Sequence, residues 1–129
     1  MTSRKERLRK LVTVQEQLKA LHETRHAGFL SAAAAAEQEA ADLARRFDAE
    51  DSLSGLFPEI YNRRIGNALA SQENNIAMAR NEVGRIATAT ARTNMVERAY
   101  REIRRQDDRD NADRERLDMI ERNSTAEGK

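Results

Sequence analysis

Between Ile65 and Thr93 the apolar and polar positions recur with alternating steps of four and three: Ile65, Leu69, Gln72, Ile76, Ala79, Val83, Ile86, Thr90 and Thr93. A stripe of this period predicts the edge of a helix that coils around another helix. Two of its positions are Thr and one is Gln, so the seam is soft. Gly66 and Gly84 fall off the stripe. Each weakens the helix by about 1 kcal/mol relative to Ala without ending it.

A partner for this helix lies earlier in the chain. Ser3 followed by Glu6 has the spacing of a capping box and predicts a helix start. Leu8, Leu11, Val14, Leu18 and Leu21 then follow at steps of three and four, and Phe29, Ala32, Ala36, Ala40, Leu43 and Phe47 continue the stripe. Between Leu21 and Phe29 it is interrupted by Arg25, with His22 and His26 on either side. The run from Ala32 to Ala36 combines the best helix former with side chains small enough to let a second helix come close.

The segment Asp51-Ser52-Leu53-Ser54-Gly55-Leu56-Phe57-Pro58 breaks the periodicity, and its Pro suits the first turn of a new helix. The predicted elements are helix one over about 3–51, a loop over about 52–57, helix two over about 58–122 and a disordered tail at 123–129. Phe47, Leu53, Leu56, Phe57 and Tyr61 bunch around the break and are expected to form a small apolar plug. Doubling back near residue 54 sets Phe29 across from Ala79, Leu18 from Thr90 and Leu8 from Tyr100, apolar stretch against apolar stretch. The predicted fold is therefore all-α: a long antiparallel two-helix coiled-coil hairpin, one domain over residues 1–129, formed within a monomer.

The arms are unequal, about 75 Å and about 100 Å at the helical rise, so the C-terminal end of helix two is expected to protrude. Past Ile103 the seam turns polar at Asp107, Asp110 and Arg114, and Leu117, Met119 and Ile120 then reappear. A stretch with no partner in its own chain is either a solvated helix end laced with Arg–Asp and Arg–Glu pairs or a tip that docks into another protein.

Composition narrows the function classes. With 39% hydrophobic, 4% aromatic and 35% charged residues the chain cannot fill a thick globular core, but it suits long helices. The 23 basic and 22 acidic residues nearly cancel, so no overall field points to nucleic acid. Charge is concentrated at the start, where Arg4, Lys5, Arg7, Arg9 and Lys10 face Glu6 alone. The absence of cysteine excludes disulfides and thiolate metal sites and fits a reducing cytoplasm. No segment has the apolar run of a signal peptide or a membrane span.

One motif invites a catalytic reading. His22-Glu23-Thr24-Arg25-His26 matches H-E-x-x-H, in which two histidines one helical turn apart bind zinc and the Glu activates water. A catalytic zinc also needs a third ligand and a cleft. Phe29 and Ala32 stand where the extended metzincin pattern has Gly and His. The two histidines are better read as exposed or seam-edge side chains. No Gly-rich phosphate loop and no nucleophile–His pairing occurs. The expectation is a protein without catalytic activity, cofactor or metal.

The opening Arg4-Lys5-Glu6-Arg7-Leu8-Arg9-Lys10-Leu11-Val12 resembles the basic, R-L-x-x-L start of flagellar export proteins of the FliJ type and their injectisome counterparts of the YscO type. The tracts Val96-Glu97-Arg98-Ala99-Tyr100-Arg101-Glu102 and Asp113-Arg114-Glu115-Arg116-Leu117-Asp118 are similar to that family's charged final helix. Length and the two unequal helices agree along the whole chain. The resemblance implies a non-enzymatic part of a type III export apparatus. It would be a coiled-coil stalk whose end enters a hexameric export ATPase, whose side meets the membrane export gate, and which escorts export chaperones. Such a protein is cytoplasmic and reaches the inner membrane only peripherally, through partners. Arg4, Lys5, Arg7, Arg98, Arg101, Arg104 and Arg105 would steer it toward acidic loops, and Leu117 and Ile120 would dock at the tip. The alternative is a generic cytoplasmic coiled-coil scaffold or chaperone that self-associates.

Overall fold

The computed structural model describes residues 3–127. It is a helical hairpin: α1 spans Arg4–Asp48, a 3-10 turn covers Leu53–Gly55, and α2 spans Pro58–Glu127, with no strand among the described residues. α1 has 45 residues and α2 has 70, so the second arm is the longer one, as the stripes predict. By their contacts the residues group into two units. One is Gln17–Ala89, which holds the turn, and the other joins residues 3–16 to residues 90–127.

Local chemistry sets the helix ends. Ser3 Oγ accepts the Glu6 amide at 3.2 Å, and the Ser3 carbonyl takes the first helical hydrogen bond from Arg7. α1 stops at Asp48, three residues before the predicted limit. There the Phe47 carbonyl, which has no helical donor, accepts the Ser54 hydroxyl at 2.7 Å. Ser52 sits in extended conformation, accepts the Ser54 amide at 3.0 Å and caps the 3-10 turn. Pro58 is the first residue of α2, where its missing N–H costs nothing. No residue of the turn has positive φ, so Gly55 is not required for left-handed geometry.

The expected apolar plug shrinks to one aromatic pair. Phe47 and Tyr61 meet edge to face with ring centroids 6.0 Å apart, while Leu53, Leu56 and Phe57 remain exposed. The hydroxyls of Ser52 and Ser54 hold the turn from inside, and the larger side chains are turned outward. At the other end the predicted tail is helical: α2 continues through Asn123–Glu127, and residues 128–129 lie outside the described residues.

In the unit Gln17–Ala89 the covered positions of α1 include Lys19, His22, His26, Phe29, Ala33, Ala36, Ala40, Leu43 and Phe47, with Asp42 half-buried beside Leu43. Those of α2 include Tyr61, Ile65, Ala68, Gln72, Asn75, Ala79, Glu82, Ile86 and Ala89, with Ile76 half-buried beside Asn75. Steps of three and four run without interruption through both rows. In the other unit Lys5, Leu8, Val12 and Gln15 on α1 and Thr93, Val96, Tyr100, Ile103 and Asp107 on α2 are covered in the same rhythm. The heptad period is the predicted one, but several of the predicted positions are exposed, most of them on α1.

On α2 the row Ile65, Gln72, Ala79, Ile86 and Thr93 lies on the seam as expected. Ala68, Asn75, Glu82 and Ala89 are covered as well; of the other expected positions Leu69 and Val83 are exposed, while Ile76 and Thr90 are half-buried. On α1, Leu11, Val14, Leu18 and Leu21 are 39–47% exposed, and Val12, Gln15, Lys19 and His22 take the seam. Ala33, 6% exposed, replaces Ala32. A seam lined by Ala33, Ala36, Ala40, Ala68 and Ala79 is shallow, and small side chains let two helix backbones close on each other. The branched Leu and Val side chains are then left on the flanks. The histidine segment is thus no gap: His22 and His26 are consecutive seam residues.

Candidate functional site

The most tightly built polar site lies in the unit Gln17–Ala89. Glu82 is 1% exposed, the least accessible polar residue described. Its period position brings it to the seam, where a carboxylate would lose its hydration without return unless donors met it. Two do. Oε2 accepts from His22 Nδ1 at 2.8 Å across the helix pair, and Oε1 accepts from Arg85 Nη1 at 2.8 Å, one turn along α2. An ionised carboxylate can only accept, so His22 carries its proton on Nδ1. Burial acts to raise the Glu82 pKa. The His22 hydrogen bond, the Arg85 charge and hydrogen bond and the charge of His22 together outweigh it, so the carboxyl is held below its ordinary value of 4.5.

Chemically this cluster is closed. Both carboxylate oxygens are engaged, and no buried side-chain nitrogen or oxygen among the described residues lacks a partner. Its role is to fix which residue of α1 faces which residue of α2, as a buried polar side chain in a coiled-coil seam does. The H-E-x-x-H segment is drawn into this arrangement. His22 is bound to Glu82, Glu23 is exposed and lies 4.0 Å from Lys19, and His26 occupies the next seam position. Among the described residues no three His, Cys, Asp or Glu side chains converge as metal ligands.

The partner-binding residues expected from the sequence fall in the other unit. Lys5 is half-buried and pairs with Asp107 at 3.6 Å, which marks where α1 begins alongside α2. Arg4, Arg7, Arg98 and Arg105 are exposed. Arg101 lies 3.6 Å from Glu97, and Arg101 and Arg104 border a groove with Arg9, Val12, Thr13 and Tyr100. Arg9, one of the basic residues concentrated at the start of the sequence, therefore belongs with this basic group. Beyond Asp107, α2 continues for about 30 Å at the helical rise with no described residue of α1 beside it. Leu117, Met119 and Ile120 on that stretch are 60–61% exposed.

Glu82 is the functional residue that periodicity missed. A signal was present: the fold-back that sets Phe29 across from Ala79 also sets His26 across from Glu82, a base facing an acid within reach of both histidines.

These features define a class, the antiparallel coiled-coil hairpin with a polar lock in its seam. No family model, curated protein or solved structure matches the chain. No helix among the described residues is long and apolar enough to cross a membrane.

Proposed function

We propose that the chain is a non-enzymatic component of a flagellar or related type III export apparatus, a coiled-coil stalk that couples a hexameric export ATPase to the membrane export gate. The observation that carries this reading is the length of α2 beyond Asp107, with Leu117 and Ile120 uncovered on it. A helix end with apolar side chains and no partner among the described residues is suited to insertion into a ring of other subunits. The basic group of Arg9, Arg101 and Arg104, with Arg4, Arg7, Arg98 and Arg105 exposed nearby in sequence, supplies attraction to acidic loops. Attachment to the inner membrane would be peripheral, through the gate, and escort of export chaperones would use the same exposed surfaces.

The test is direct. Purified chain added to a hexameric export ATPase is expected to bind and to raise its turnover. The Leu117→Asp, Ile120→Asp double variant is expected to lose both effects while keeping its helical signal. If the unaltered chain neither binds nor stimulates the ATPase, the reading fails.

A further inference from the structure

Beside the seam, α2 carries a second stripe on heptad spacing: Leu69, Glu73, Ile76, Arg80 and Val83. All five belong to the unit Gln17–Ala89. Leu69 is 50% and Val83 53% exposed, and Ile76 is only partly covered. Glu73 and Arg80 are exposed, and neither forms an ion pair with another described residue. Leu69, Gln72, Glu73, Ile76, Ala77 and Arg80 border a shallow groove along the helix. Two large apolar side chains stand in water here with an unpaired acid and an unpaired base between them.

The order of these residues is what identifies the occupant. Read in one direction the stripe is apolar, acid, apolar, base, apolar; read backwards, acid and base change places. An antiparallel copy of the same stripe, related by a two-fold axis beside Ile76, would set Leu69 against Val83 of the copy and Ile76 against Ile76. The same operation brings Glu73 to within one residue, about 1.5 Å along the axis, of the copy's Arg80 and, by symmetry, Arg80 to within one residue of Glu73, an offset their long side chains span. A parallel copy would oppose acid to acid and base to base, which is repulsive. Isologous contacts need this self-complementarity, and arbitrary helix surfaces lack it.

We infer that a second copy of this chain docks antiparallel on the Leu69–Val83 face of α2, joining two hairpins into a two-fold symmetric dimer. The hairpin itself closes within each chain, so dimerisation adds to the fold and does not replace it. The face uses none of the residues assigned above to the export ATPase, and either proposal can fail without the other.

Sedimentation equilibrium of the full chain tests this. The unaltered protein is expected to show a monomer–dimer equilibrium. E73R and R80E should each weaken it by about tenfold or more, through two like-charge contacts per dimer, and the E73R/R80E double variant should return to within about threefold of the original. Both positions of change are exposed, and circular dichroism is expected to show unchanged helix content. Because the chain has no cysteine, I76C should oxidise to a covalent dimer, and L69C should cross-link to V83C but not to itself. A monomer at all concentrations, a dimer indifferent to both charge reversals, or self-linking of L69C would overturn the proposal.

Discussion

His22 of α1 donates from Nδ1 to Glu82 of α2 over 2.8 Å, joining two residues sixty positions apart in the chain. This bond places an acid and an imidazole where a coiled coil ordinarily has aliphatic side chains. Its strength comes from seclusion: the Glu82 side chain is 2% exposed, so water does not compete for the carboxylate.

Removing one partner should be worse than removing both. Glu82→Leu leaves the His22 Nδ1 proton facing a hydrocarbon, and His22→Leu leaves a carboxylate with Arg85 alone. Each is expected to lower the thermal midpoint clearly more than Glu23→Leu does at an exposed position. The double variant His22→Leu, Glu82→Leu should recover most of the loss, because an apolar pair fits an apolar seam. Thermal denaturation followed by circular dichroism reads all four chains.

Acid should loosen the hairpin through the same residue. The folded-state pKa of Glu82 lies below its ordinary value of 4.5, so the unfolded chain binds a proton more readily than the folded one as pH falls. The Glu82 contribution is therefore fully present above pH 4.5 and is lost as pH drops through the lowered folded value. Urea denaturation at pH 6 and pH 3 is expected to show a larger drop for the unaltered chain than for Glu82→Gln. Equal drops would remove Glu82 from the acid response.

The seam assignment can be checked with two leucines on the same helix. Leu43 is 2% exposed, and its truncation to Ala should cost about 2–5 kcal/mol. Leu21 is 43% exposed and lies off the seam, so Leu21→Ala should cost under about 1 kcal/mol. Comparable losses at both positions would restore the sequence-based stripe on α1.

Gly28 offers a stabilising change. It lies inside α1, and a Cβ placed there meets nothing within 4 Å. Gly28→Ala is expected to raise unfolding free energy by about 0.5–1 kcal/mol, through the lower entropy of the unfolded chain and better helix propensity. A denaturant midpoint that fails to rise would contradict the open environment at this residue.

Much of the architecture was legible because a heptad period survives even a poor seam. The turn, Pro58 at the start of α2 and the pairing direction all follow from the periodicity and a few punctuating residues. The choice between neighbouring stripes was not legible. Ile65 is followed by Ala68 three positions on and Leu69 four positions on, and either completes a heptad. Hydrophobicity alone favours Leu69. What decides is the partner helix, whose alanines favour a shallow interface and whose His22 needs Glu82 opposite. The same preference for apolar positions hid the lock itself, since a carboxylate is the last residue one expects inside. The end of α2 was missed for a different reason: Asn123, Ser124 and Thr125 are weak helix formers, yet they continue a helix already nucleated many turns earlier.

Alanine-lined rods tolerate sliding, because one methyl group resembles the next. The buried carboxylate removes that freedom. Slipped by one heptad so that Glu82 meets Phe29 where it now meets an imidazole, the carboxylate oxygen that His22 engages would lose its donor from the opposite helix. A slip in that direction is thus opposed by a single acid, and two chain segments otherwise forgiving of error gain a preferred alignment.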